Sequence, residues 1–327
     1  MSGPIDCVAA VTYRCNSRCV MCDIWKSDAR QERELKPADY RWLPKSLRSI
    51  NVSGGEPFLR DDIVEIVEVM RERCPKARIV ISTNGLQPDR IVAAVERMPE
   101  VAIRVSIDGV GEAHDAVRGI PGAYDRAMET VERLRDIGVA DLGLAATATD
   151  TNVGDVTRVR DRTKELGLKF SVTAAHSSPI FFGDHAVERP HSAESVGEMV
   201  AIMREHLRSW RPLDWAKAYY VRGLIEYIRG RPRRLPCRAG TDFFFLDPWG
   251  DVYPCNIGGT LIGNIREGSF EEIRRRSWNR VREKVDACEV QCWMVCTVGP
   301  PMKRRPLKPM MWMLGAKLLG LDTDVDR

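Results

Sequence analysis

Between residues 7 and about 175, short and nearly continuous apolar runs alternate with stretches whose apolar positions recur every three or four residues. The first kind predicts strands at 7–13 (CVAAVTY), 49–54 (SINVSG), 77–83 (ARIVIST), 102–108 (AIRVSID), 142–148 (LGLAATA) and 168–174 (LKFSVTA). The second kind predicts amphipathic helices, among them 61–74, 123–138 and 153–167, the last two ending at Gly138 and Gly167 as helix C-caps do. Strands with so little polar alternation belong to a parallel sheet covered by helices. Six strand–helix units fall short of the eight of a closed barrel, so the expected fold class is α/β, a partial (β/α)6 barrel. After residue 174 the rhythm changes. A long loop (174–191) leads to helices near 193–210 and 213–229, then a Pro/Arg-rich boundary at 231–236. Beyond it, FFFLDPWGDVYPC reads as a hairpin turning at 248–250. The expected organisation is a barrel over 1–205, a helical linker over 206–235, a small cysteine-bearing domain over 236–300 and a tail over 301–327.

Composition narrows the function. Of 327 residues 44% are hydrophobic, enough for a sizeable core, and 50 Lys+Arg against 46 Asp+Glu leave a net charge of only +4. That balance argues against general nucleic-acid binding. The basic runs RGRPRR (229–234) and KRRPLK (303–308) read as solvated linkers. The start lacks the basic residues of a signal peptide, and no uninterrupted apolar window is long enough to span a membrane. A cytoplasmic location follows as the expectation. There thiols stay reduced, so ten cysteines point to metal or redox chemistry rather than to disulfides.

Three of them, Cys15, Cys19 and Cys22, follow the first strand, where barrel enzymes assemble their active sites. A structural zinc site closes with four ligands, yet residues 23–60 contain neither His nor a fourth Cys. Three thiolates on a four-iron cluster leave one iron open, as catalysis requires. The loop resembles the S-adenosylmethionine (SAM)-cleaving motif of the radical SAM superfamily. The resemblance implies a [4Fe–4S] cluster on the three thiolates, SAM at its open iron, and a 5′-deoxyadenosyl radical that abstracts a substrate hydrogen atom. SGGEP (53–57), STNG (82–85) and VSIDG (105–109) close the second, third and fourth strands, and AHDAVRG follows at 113–119. On the family's pattern, Gly54, Gly55, Glu56 and Pro57 hold the SAM amino group, and Thr83, Asn84, Ser106, Asp108 and Arg118 complete the cofactor pocket.

A second group comprises Cys237, Cys255, Cys288, Cys292 and Cys296; on one helix the last three would share a face. The surrounding segment resembles the SPASM/twitch extension, which carries auxiliary [4Fe–4S] clusters. Five thiols, against the seven of a full SPASM domain, suit one auxiliary cluster, with Cys237, Cys255 and Cys296 the firmest ligands, Cys292 the fourth and Cys288 the spare. Cys7 and Cys74 read as small buried hydrophobes. In an epimerase reading, Cys7 or Cys288 would return a hydrogen atom to the substrate. His176, Asp184 and His185, after the sixth strand, are the residues for substrate contact or proton removal. The tail (305–321) reads first as packing on the second domain and second as a basic amphipathic helix lying on a membrane surface.

The expected activity is a radical SAM oxidoreductase or maturase acting on an unactivated C–H bond of a peptide or a small, sugar-like metabolite. The auxiliary cluster would accept an electron or position the substrate, and a flavodoxin- or ferredoxin-type donor would supply electrons. Epimerisation and peptide cross-linking begin with the same step. A non-catalytic iron–sulfur electron carrier is the alternative of a different class; it needs neither residues 53–57 nor an open iron.

Overall fold

The structure is a computed structural model that describes residues 3–27, 29–183, 190 and 192–319. Among the described residues, nine strands form one sheet in the order β6-β5-β4-β3-β2-β1-β7-β8-β9. They are β1 (Asp6–Thr12), β2 (Ser49–Gly54), β3 (Arg78–Thr83), β4 (Ala102–Ser106), β5 (Leu142–Ala148), β6 (Lys169–Ala174), β7 (Phe243–Leu246), β8 (Asp251–Tyr253) and β9 (Gly263–Asn264). The first six pair in parallel, each with its sequence neighbour, and follow the expected strands closely. The sheet stays open, as a partial barrel does.

Helices α1 (Ile63–Arg73), α2 (Pro88–Glu96), α3 (Glu112–Arg118), α4 (Ala123–Asp136) and α5 (Asp155–Glu165) connect these strands, and α6 (Ala193–Arg208) and α7 (Pro212–Ile228) follow. Gly138 and Gly167 take positive φ just beyond α4 and α5, satisfying the helix ends as expected. The last helices are α8 (Phe270–Asp286), α9 (Val295–Arg304) and α10 (Leu307–Leu319).

Every residue of β1 is buried because the strand is covered on both faces and both edges. Cys7, Ala9 and Val11 join the large core beneath the helices, whereas Val8 and Ala10 face a smaller cluster with Tyr13, Phe181, Phe243 and Phe245. The period of two thus sends alternate side chains of one strand into two apolar cores. The hairpin expected at 243–255 is present as β7 and β8. Its first strand also pairs in parallel with β1, Asp6 opposite Phe243 and Ala9 opposite Leu246, so the C-terminal segment extends the barrel sheet.

Two expectations need correction. Cys288 and Cys292 do not share a helix with Cys296: residues 287–294 are irregular, and only Cys296 lies in α9. The tail helix α10 packs on α7 and α6 rather than on the cysteine-bearing segment. Its Trp312 meets Tyr219 edge to face at 5.5 Å and lies under the Arg222 guanidinium, while Lys317 donates to the Leu207 carbonyl at 2.6 Å.

Candidate active site

The cysteine loop after β1 is fixed by backbone hydrogen bonds on two sides. Gly55 and Glu56 donate to the carbonyls of Thr12 and Arg14 at 2.7 and 2.8 Å, while Arg18 and Val20 donate to those of Arg118 and Val117, both at 2.9 Å. The first contact explains the glycines of SGGEP: Gly54 has φ near 132°, and a Cβ at Gly55 would stand 2.1 Å from the Arg14 carbonyl oxygen. Arg14 and Arg60 pair with the buried carboxylate of Glu34, anchoring the end of β1.

Cys15, Cys19 and Cys22 all border one cavity of about 180 Å³. Ser53, Gly54 and Gly55 line it from the end of β2, Ser82, Thr83 and Asn84 from β3, and Ser106 from β4. Arg118 closes one side. It is buried, pairs with Asp108 at 2.6 Å, and directs Nη1 to Cys19 Sγ at 3.6 Å. The Ser17 hydroxyl lies 3.2 Å from Cys19 Sγ, and the Ser17 N–H donates to Cys15 Sγ at 3.5 Å. Burial pushes the Cys15 and Cys22 thiols up to about 11 and 12, a cost that iron ligation removes by replacing the proton. Among the described residues, no three Cys, His, Asp or Glu side chains converge tightly enough to hold a single ion. A four-iron cluster makes a different demand, because each thiolate binds its own iron. Three thiols ringed by N–H, hydroxyl and guanidinium donors match the negative charge such a cluster brings.

Glu56, Pro57 and Asp108, expected in the cofactor pocket, are not among the residues that line the cavity and lie in its wall. Glu56 turns away from the cavity. Its oxygens accept from Thr83 Oγ1 at 2.8 Å, Asn84 N at 2.7 Å and Phe58 N at 3.2 Å. Burial raises its pKa to about 7 against the lowering effect of these bonds. Pro57 opens the short turn beyond it. Asp108 is likewise fully buried, accepting from Thr147 N at 2.7 Å and neutralising Arg118. Both carboxylates serve as braces because their strand-end loops need an internal partner.

His176 borders the cavity, yet both ring nitrogens are committed. Nδ1 donates to the Ala174 carbonyl at 2.7 Å and Nε2 accepts from Trp293 N at 3.2 Å, with the ring stacked on Tyr227 at 4.2 Å. Burial lowers its pKa to about 4, and through these two bonds the ring joins β6 to the second cysteine segment. Asp184 and His185 lie outside the described residues.

Thr147, Thr173, Phe181, Phe182 and Met294 also line the cavity. Extending the strand-end argument to β5 and β6 would have found the two threonines. Met294 had no separable signal, since it stands between Cys292 and Cys296 in a segment read only for its thiols.

The second group is less uniform. Cys292 and Cys296 are buried, Cys237 and Cys255 half-buried and Cys288 exposed. Cys255 Sγ accepts from Gly258 N at 3.2 Å, and Arg233 Nη1 lies 3.6 Å from Cys292 Sγ. Cys15, Cys22, Cys237 and Cys255 all pack against the small core that also contains Cys296, so both groups share one apolar floor. Cys7 lies on the opposite face of β1, in the other core.

Comparison with known proteins agrees with this arrangement. The family profile of the radical SAM superfamily matches residues 10–155, and that of an iron–sulfur cluster-binding domain, SPASM, matches residues 237–297. The chain is 28% identical to an AdoMet-dependent heme synthase of Methanosarcina barkeri, covering 80% of each chain. It is 27% identical to the mycofactocin maturase MftC of Mycolicibacterium smegmatis, covering 85% of this chain and 71% of the maturase. Its fold resembles that of anSMEcpe solved with AdoMet and a peptide, with a TM-score of 0.63 at 16% identity over 97% of this chain and 98% of the other. The two profiles together span more than half the sequence and meet at one cavity; the chain belongs to the radical SAM superfamily, as an enzyme with an iron–sulfur cluster-binding SPASM domain.

Proposed function

We propose that the protein is a radical SAM oxidoreductase or maturase that abstracts a hydrogen atom from an unactivated C–H bond of a peptide or other small substrate. The observation that carries this reading is the shared cavity. Cys15, Cys19 and Cys22 border it from one side and Met294, between two cysteines of the SPASM segment, from another.

Cys15, Cys19 and Cys22 would hold a [4Fe–4S] cluster with SAM, and Cys237, Cys255, Cys292 and Cys296 one auxiliary cluster. When bound, the first cluster with SAM supplies a 5′-deoxyadenosyl radical. The chain's own residues provide everything else. Arg118 and Ser17 offset thiolate charge, and the backbone of Gly54 and Gly55 admits a close ligand. Thr83, Asn84 and Ser106 offer polar contacts, while Phe181, Phe182 and Trp25 shield the cavity from water. Exposure of Cys288 fits a thiol left outside the auxiliary cluster. An electron donor of flavodoxin or ferredoxin type completes the requirement.

Two substrate classes follow from the comparisons: peptides, from the peptide bound to anSMEcpe, and iron porphyrins, from the heme synthase and from an Fe-coproporphyrin III synthase of Methanosarcina barkeri 36% identical over 163 residues. Reduced enzyme and SAM should be offered a peptide pool, an iron-porphyrin pool and a sugar pool, and 5′-deoxyadenosine release followed. A rise of about tenfold over the uncoupled background with peptides or porphyrins supports the reading and selects between them. Stimulation by the sugar pool alone would overturn the peptide assignment.

A further inference from the structure

We propose that α10 and the neighbouring α6–α7 turn form a docking surface for an anionic lipid bilayer. Residues 307–319 (LKPMMWMLGAKLL) are apolar on nearly every side. Such a helix is ordinarily enclosed in protein or lipid. Among the described residues only one face is covered: Trp312 and Met313 are half-buried and Ala316 is buried, against α7 and its surroundings. The remaining apolar side chains stand in solvent. Leu307 is 74% exposed, Met311 73% and Leu318 64%, with Met310 and Leu314 beside them. Their spacing of three, four and seven residues sets them in a single stripe along the helix.

The stripe continues onto the turn between α6 and α7. Lys317 donates to the carbonyls of Leu207 and Arg208 and lies 4.3 Å over the ring of Trp210, fixing the end of α10 beside that turn. Trp210 and Leu213 there are 74% and 70% exposed. Tryptophan and leucine on one face with basic residues around it are what the headgroup region of a bilayer accepts.

Charge selects the occupant. Residues 303–319 carry Lys303, Arg305, Lys308 and Lys317 and no acidic residue, with Arg304 already paired with Asp242 at 3.4 Å, and Arg208 and Arg211 add two cations from the turn. Asp214 at the start of α7 is already held by Lys217 at 3.2 Å and by Ser209. A second copy would bring an equally cationic face against this one, whereas anionic headgroups neutralise it. No described helix is long and apolar enough to cross a membrane, so the helix would lie on the surface rather than span it.

Flotation of the full chain with vesicles tests this, using phosphatidylcholine alone and phosphatidylcholine with a minor fraction of phosphatidylglycerol. The expected result is co-flotation with the anionic vesicles, weakened by added salt. Met311→Asp with Leu318→Asp should reduce partition at least about tenfold, and Lys303→Glu with Lys308→Glu should abolish the preference for anionic vesicles. These side chains are solvent-facing, and an unchanged melting temperature and iron content would confirm that the variants fold. Failure to float with either vesicle, or flotation indifferent to the paired Asp substitutions, overturns the proposal. So does concentration-dependent dimerisation removed by those substitutions in protein that does not float, since the stripe would then be covered by a second copy.

Discussion

Glu56 and His176 show what a residue's type reveals and what its surroundings decide. Both sit where strand-end chemistry was expected, and both spend their polar atoms on the protein. Glu56 carries the clearer consequence. Its folded pKa of about 7 lies above the ordinary 4.5, chiefly through burial. A raised carboxyl pKa contributes stability that is full below the unfolded value and lost as pH rises through the folded one. Relative to Glu56→Gln, which cannot ionise, the wild-type apoprotein should therefore lose roughly 1–3 kcal/mol between pH 4.5 and 8. Urea unfolding of both proteins across that range checks the sign. A difference that grows with pH in favour of the wild type would refute it. Sequence motifs located both residues, but only packing tells that a carboxylate accepts three hydrogen bonds inward rather than one from a ligand.

Elements were the most legible level. Strands β1 to β6 follow from continuous apolar runs because a sheet covered on both faces leaves no polar alternation. The pairing of β7 with β1 was not legible: the two segments lie over two hundred residues apart, and FFFL reads equally well as an isolated hairpin strand. Four adjacent strands are tied together by Asp141, just before β5, which binds Arg78 of β3 at 2.7 Å and Arg104 of β4 and Lys169 of β6 each at 2.8 Å. Burial works to raise its pKa, but those three hydrogen bonds bring it well below the usual range. A depressed carboxyl pKa stabilises above the unfolded value, and that contribution is lost as pH falls through the folded one. Asp141→Asn is expected to cost roughly 2 kcal/mol at neutral pH, and less in acid. An equal cost at both would contradict the pairing. Helix α7 seats the second cysteine segment through Gly223, where a Cβ would lie 1.8 Å from the Trp293 ring. Gly223→Ala should displace Trp293, lowering thermal stability and emptying the auxiliary site, so that iron falls from about eight to about four per chain. Retention of all the iron would separate that seat from the cluster.

At the scale of the whole molecule, the three cysteines of the first loop and Met294 of the second cysteine segment, more than two hundred residues apart, border one cavity because β7 adds to β1 and His176 links β6 to Trp293. Local spacing identified the first group, whose three thiols fall in one loop, while the second spreads from Cys237 to Cys296 across several elements. Their shared floor depends on long-range pairing that no local spacing encodes. The account rests on the first group being an open, SAM-cleaving site. Its most direct test is 5′-deoxyadenosine formation from SAM by the reduced, iron-reconstituted protein, compared with a Cys15→Ala, Cys19→Ala, Cys22→Ala variant that keeps the second group. The expected result is steady formation by the wild type and a loss of at least about a hundredfold in the variant, with about four irons retained. Intact SAM after incubation with fully loaded, reduced wild type, or equal product from the variant, would contradict it.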